Sequence, residues 1–326
     1  MGGLRVRDIE FDSNVFLAPM AGITDTVFRQ LIRKYAPKAP LYTEMISSEG
    51  LAVKQDIVLV KAEKNEYPVI YQISGHKPHL MAEAAKILEP RATMIDINMG
   101  CPVNKVVKGS DGSALMKNPK LASEIITAVR EAVNIPVSVK TRLGWDMKSK
   151  NYLEFSKMVE DSGADMIMVH GRTRSQMYAE TANWEEIGKV KQNVSIPVIA
   201  NGDIVSVETA KKCLEISGCD GIAVGRGTLG DMELIGRIES YLKDGVVKPP
   251  PTVEDKLKTA LEHARMEIAL RGERVGLKFM RKFFAWYVTG VKNAAKYRFE
   301  LVRVEKLSEA EEIFERILEE QKTGVL

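Results

Sequence analysis

Residues 94–102 read MIDINMGCP. Met94, Ile95 and Ile97 make a near-continuous apolar run around Asp96, and the run ends abruptly in Asn98, a glycine, a cysteine and a proline. A strand covered on both faces has this composition, as in a parallel sheet, and the turn that follows it carries polar chemistry. Seven further runs share the design: 15–19 (VFLAP), 41–45 (LYTEM), 69–73 (VIYQI), 137–141 (VSVKT), 166–170 (MIMVH), 198–201 (VIAN) and 221–225 (GIAVG). The stretches between them have helical spacing: 24–35, 79–88, 121–132, 152–161, 184–191 and 207–216. Thr24 is the cap candidate of the first, and Asn118-Pro119 reads as a cap followed by proline at the first helical position. Gly163 and Gly218 follow helix ends, where a left-handed residue is wanted. Eight alternating units over about 240 residues predict a closed (β/α)8 barrel of the TIM type. A doubly wound open sheet is the alternative and normally has fewer units.

The rest of the composition narrows the class. The chain has 326 residues, of which 45% are hydrophobic and 28% charged, values that exclude a mostly disordered polypeptide. No apolar run approaches the roughly 20 residues needed to span a bilayer, and residues 1–13 lack the apolar core of an export signal. Cys101, Cys213 and Cys219 are too few for a disulfide framework and fit a reducing cytoplasm. No metal set is expected, because few carboxylates stand beside the histidines.

The pattern changes at 244–252 (DGVVKPPPT). Three consecutive prolines can neither continue a helix nor donate to a sheet, so this stretch reads as a stiff linker between a barrel over 1–243 and an all-helical domain over 253–326. Between Arg271 and Arg303 lie nine basic residues, among them Arg281 and Lys282, opposed by only two acids, Glu273 and Glu300. Aromatics are interleaved. The plain reading is a solvated bundle with an aromatic core; the sharper one is a basic face that meets phosphates.

In a barrel of this kind chemistry gathers at the C-terminal strand ends. Pro19, Met20 and Ala21 follow the first run, and Gln72 ends the third. Asn98 and Cys101 end the fourth, Lys140 and Arg142 the fifth, and His170 with Arg172 and Arg174 the sixth. Asn201, Gly202 and Asp203 end the seventh, Gly225 and Arg226 the eighth. The last two groups lie where the fold binds phosphate. Residues 225–230 match G-x-G-x-x-G, but they follow the eighth strand and no strand–helix–strand unit comes after, so a dinucleotide fold is rejected. Lys140 in an apolar strand needs an anion, whether a ligand or a barrel acid such as Asp96 or Glu44. His170 is either a hydrogen-bonded core residue or, beside two arginines, a ligand contact. Cys101 is either a buried small side chain or a thiol that donates a proton.

Taken together, APMAGITD (18–25), DINMGCP (96–102), GSALM (112–116), VKTRLGW (139–145), HGRTR (170–174), IPVIANGDI (196–204), VGRG (224–227) and RKFFAWY (281–287) resemble the dihydrouridine synthase family, in its bacterial B-type branch. The resemblance spans essentially the whole chain. It implies reduction of uridine in tRNA by a flavoenzyme that holds FMN and is reloaded by NADPH. Pro19, Met20, Ala21, Gln72, Lys140 and His170 would line the flavin ring, and Asn201, Gly202, Asp203, Gly225 and Arg226 its phosphate. Cys101 would be the proton donor, and Asn98, Arg142, Arg281 and Lys282 substrate contacts. Partners would be tRNA and no membrane, with a monomer favoured. Phe283 departs from the family pattern, in which many relatives carry histidine. A small-molecule flavin dehydrogenase of the dihydroorotate type is the alternative, and the basic tail speaks against it.

Overall fold

The computed structural model describes residues 3–53 and 60–323. Eight parallel strands close a barrel: β3 (Val15–Leu17), β4 (Leu41–Ser47), β5 (Val69–Ser74), β6 (Met94–Asn98), β7 (Val137–Arg142), β8 (Met166–His170), β9 (Val198–Asn201) and β10 (Gly221–Val224), with β10 returning to pair with β3. Each of the eight apolar runs forms one strand, so the TIM-barrel expectation is borne out.

A hairpin that the apolar runs do not predict precedes them. Its strands β1 (Leu4–Val6) and β2 (Ile9–Phe11) pair antiparallel. Leu4, Val6 and Phe11 join Phe16, Tyr42, Ile70, Met94 and Met166 in one buried cluster. These barrel residues lie at the starts of their strands. The hairpin therefore closes the end of the barrel opposite the strand C-termini, and burying its apolar face contributes about 1.5–3 kcal/mol per large side chain.

The helices are α1 (Thr26–Tyr35), α2 (Ser48–Val53), α3 (Pro78–Leu88), α4 (Asn104–Lys108), α5 (Pro119–Ala132), α6 (Tyr152–Asp161), α7 (Trp184–Asn193), α8 (Val207–Ser217), α9 (Leu234–Asp244), α10 (Val253–Arg271), α11 (Glu273–Tyr287), α12 (Ala294–Leu301) and α13 (Leu307–Thr323). The cap of α1 is corrected. Asp25, not Thr24, accepts from Phe28 N at 3.0 Å, while Thr24 Oγ1 turns back to accept from Met20 N. Asn118 caps α5 ahead of Pro119, and Gly218 ends α8 in the left-handed region.

Two compact units emerge. One comprises the chain up to Arg226 together with Ile235–Val247; the other comprises Gly227–Leu234 and the chain from Lys248 onward. The Pro-rich stretch is irregular and largely exposed. In the helical unit Leu277, Met280, Phe283, Phe284, Tyr287, Tyr297, Leu301, Phe314 and Ile317 are buried. Most of the aromatics therefore form its core, Phe299 being exposed, and Arg274, Lys278, Lys292, Lys296 and Arg298 are exposed as well.

Candidate active site

Strand register brings the singled-out residues of the barrel into one ring. Gln72 stands opposite Asp96, Asp96 opposite Ser138, Asn98 opposite Lys140, Arg142 opposite His170, and His170 opposite Asn201. Because the pairs recur at the strand C-termini, these side chains share the same end of the barrel.

The Cys101 loop hangs from Asn98. Asn98 Oδ1 accepts from Cys101 N at 3.0 Å and from Gly100 N at 3.3 Å. The Cys101 carbonyl accepts from Ser113 N at 3.1 Å and Ser113 Oγ at 2.9 Å. Gly112, at φ +61°, passes so close that a Cβ there would meet Cys101 O at 2.9 Å. The thiol itself is half-buried and free, whereas Cys213 and Cys219 are buried and their thiols are pushed up to about 12 and about 11 by desolvation.

Beside this loop lies a concentration of positive charge. Lys140 makes no ion pair with Asp96, Glu44 or any other acid among the described residues. Burial, then the neighbouring Arg142 guanidinium, hold its ammonium down at about 8. Arg142 is buried, and its donors go to the carbonyls of Gly100 (3.0 Å), Thr173 and Met177 (both 2.9 Å); desolvation lowers it to about 10. Arg172 grips Asp203 with Nη2 at 2.6 Å, and Arg226 reaches the same carboxylate at 3.3 Å. Among these, His170 is held well below its ordinary value, first by burial and then by Arg142, Lys140, Arg172 and Arg226. It is a neutral imidazole in a cationic field. Two buried atoms here carry no hydrogen bond among the described residues: His170 Nδ1 and Arg172 Nη1. Unpaired buried polar atoms are costly, and a surplus of cations beside them suits an anionic ligand.

Around the ring, Asn201 Nδ2 donates to Ala223 O at 2.8 Å, and Gly202 O accepts from Trp184 Nε1 at 2.9 Å. Gly225 approaches Met20 Sδ; Met20 and Pro19 are half-buried and Ala21 is exposed. Gln72 is buried, with its amide bonded to Asp96 (2.7 Å) and Asn98 (2.8 Å).

The dihydrouridine synthase (Dus) family model matches residues 16–322. The chain belongs to this family. It is 43% identical to probable tRNA-dihydrouridine synthase 1 of Synechocystis, over 98% of this chain and 90% of that protein. It is 39% identical to tRNA-dihydrouridine synthase B of Pseudomonas putida, over 91% and 89%. The resemblance read from the motifs is therefore borne out, and the chain is an enzyme. Among solved structures, an old yellow enzyme homologue from Zymomonas mobilis superposes with a TM-score of 0.53 at 12% identity, covering 78% of this chain and 95% of that one. A 2-naphthoyl-CoA reductase gives 0.56 at 11%, covering 74% and 52%. At these identities the likeness concerns the barrel fold.

Placed in the family, the tail residues divide. Arg281 spends its donors on Val304 O (3.0 and 2.8 Å) and Arg303 O (3.3 Å), pinning the segment between α12 and α13. Lys282 lies over the Phe279 ring at 3.9 Å. Phe283 is buried, 4.6 Å from His263 and 5.3 Å from Trp286 between ring centres. Ser138 and Tyr178 are site neighbours that the motif reading did not single out, and Asp96, which it offered only as a partner for Lys140, instead binds Ser138 and Gln72. Tyr178 is 53% exposed on the segment between β8 and α7, with Arg226 4.5 Å from its ring centre. A buried acid in an apolar strand was the available signal for Asp96; nothing in the sequence marks Tyr178. No group of three or more metal-ligating side chains gathers among the described residues, and none of their helices is long and apolar enough to cross a membrane.

Proposed function

We propose that this enzyme reduces uridine to 5,6-dihydrouridine in tRNA, with FMN bound at the barrel mouth and NADPH as reductant. The observation that carries the reading is the free Cys101 thiol on a tethered loop at the strand ends that also carry unpaired Lys140, neutral His170 and the Arg172–Asp203–Arg226 cluster. These residues fit FMN. The cations and the orphaned His170 and Arg172 nitrogens suit an anionic ring edge and a phosphate. Pro19, Met20, Ala21, Gln72, Lys140 and His170 would hold the ring, and Asn201, Gly202, Asp203, Gly225 and Arg226 the phosphate.

When bound, the flavin supplies hydride to C6 of uracil. The residues of the chain do the rest. Negative charge then spreads toward C5 and O4 of the base, and the Cys101 Sγ proton is delivered to C5. General acid work of this kind contributes roughly 10²–10⁴-fold. Lys140 holds a positive charge at the site below pH about 8, which favours electron-rich states of the ring beside it. Asn98 keeps one amide hydrogen beyond its bond to Gln72 for the base, and Arg142 keeps the loops on either side in register. The base must leave its stack to reach such a mouth. The exposed Arg274, Lys278, Lys292, Lys296 and Arg298 of the helical unit supply phosphate contacts for a large polyanion, which a small substrate would not need.

The test is spectroscopic. Purified protein should be yellow and release FMN on denaturation, NADPH should bleach it without oxygen, and unmodified tRNA should restore the colour. A colourless protein that FMN cannot reconstitute overturns the reading.

A further inference from the structure

Asp96 is wholly buried on β6 and touches no solvent. Its Oδ1 accepts from Ser138 Oγ at 2.6 Å and its Oδ2 from Gln72 Nε2 at 2.7 Å. Both donors come from the paired strands, at the register positions directly opposite. With its nitrogen drawn to Asp96, the Gln72 amide turns its oxygen to Asn98, whose Nδ2 donates at 2.8 Å. Asn98 must then point its own oxygen the other way, toward Cys101 N and Gly100 N. A side-chain amide can sit in either of two orientations of nearly equal shape, and only its partners choose between them. A carboxylate accepts with both oxygens and so removes the choice at the start of the chain.

We infer that Asp96 is a positioning residue, whose acceptor-only end sets the direction of the Gln72 and Asn98 amides and thereby holds the Cys101 loop in place. An apolar residue, or a neutral amide, would fill the same core volume without the cost of a buried acid. Burial indeed pushes the Asp96 carboxyl up to about 7 against the pull of Ser138, Gln72, Lys140 and Tyr42, so both of its oxygens act purely as acceptors above that pH. The orientation of the relay explains why an acid is kept there. This inference deepens the assignment of Cys101 as the proton donor and rests on it for its catalytic meaning, although the relay can be tested without turnover.

The experiment measures the rate at which iodoacetamide alkylates Cys101 in the FMN-loaded protein in alkaline buffer, read by peptide mass. The buried Cys213 and Cys219 serve as internal controls of folding. Asp96→Asn, which lets both amides flip, should raise the rate about tenfold, the effect of one net hydrogen bond removed. Gln72→Glu alone, which sets a second carboxylate against Asp96, should also raise it. In the double variant Asp96→Asn/Gln72→Glu, donor and acceptor exchange places. The amide introduced at 96 donates to the carboxylate introduced at 72, whose other oxygen still accepts from Asn98 Nδ2. The rate should return toward wild type, which poorer packing alone would not produce. Equal rates in wild type and Asp96→Asn, or a double variant as reactive as the singles, overturn the inference. Those outcomes leave the acid assignment standing; retained turnover in Cys101→Ala would instead remove that assignment and leave the relay.

Discussion

The Arg142 guanidinium donates from Nε to the carbonyl oxygen of Gly100 at 3.0 Å, which ties the end of β7 to the residue that precedes Cys101. Its Nη1 binds Thr173 O and Met177 O, so one buried side chain staples the loops that follow two strands. Arg142→Ala strands three carbonyls, two of them (Gly100 and Thr173) on buried residues, and should cost about 2–4 kcal/mol, read as a fall in Tm of several degrees. Arg142→Lys should recover little of it, because a single ammonium cannot reproduce the planar fork. An unchanged Tm in both would show that the staple carries no stability.

Gly112 is the second constraint on the same loop. Its φ of +61° and the 2.9 Å approach to Cys101 O leave no room for a Cβ. Gly112→Ala should destabilise by roughly 1–3 kcal/mol and lower turnover through the displaced thiol. Denaturant unfolding together with steady-state kinetics checks both effects.

Eight barrel strands could be read directly from the sequence because each is a short β-branched or Met-rich run bounded by a polar turn. The β1–β2 hairpin could not, since two three-residue strands with mixed patterning give no period to detect. Within the site, Cys101, Lys140 and His170 were visible as polar residues where apolar runs stop. Their partners were not. That Arg281 serves Val304 O rather than standing free, or that Gln72 sits between Asp96 and Asn98, depends on register and on helix packing, which pattern alone does not supply.

Lys140 should make FMN binding pH-dependent. Its ammonium titrates at about 8 instead of the usual 10.5, so FMN affinity should weaken as pH rises through about 8, and Lys140→Met should flatten that dependence. The sign for stability is opposite. Between about 8 and 10.5 the unfolded chain binds more protons at this residue, so the flavin-free protein should gain stability as pH rises through that window. Titrations of flavin fluorescence and of Tm against pH test the two arms; parallel slopes in wild type and variant would contradict the assignment.

The basic face of the helical unit should make tRNA affinity salt-dependent. Replacing exposed Lys278 or Arg298 with glutamate should raise the KM for tRNA. It should also reduce the slope of log K against log salt by about 0.7–0.9 for each phosphate no longer neutralised. The rate of NADPH oxidation without tRNA should not change. Filter binding across a salt series, with NADPH oxidation followed alongside, shows whether both hold.

The most direct test of the central claim uses an unmodified tRNA transcript, NADPH and FMN-loaded protein. Mass spectrometry of the digested RNA should show a uridine that has gained two hydrogens with wild type. Cys101→Ala, still yellow and still bleached by NADPH, should form the product roughly 10²–10⁴-fold more slowly. Product formed equally fast by both proteins, or by neither, would contradict the account.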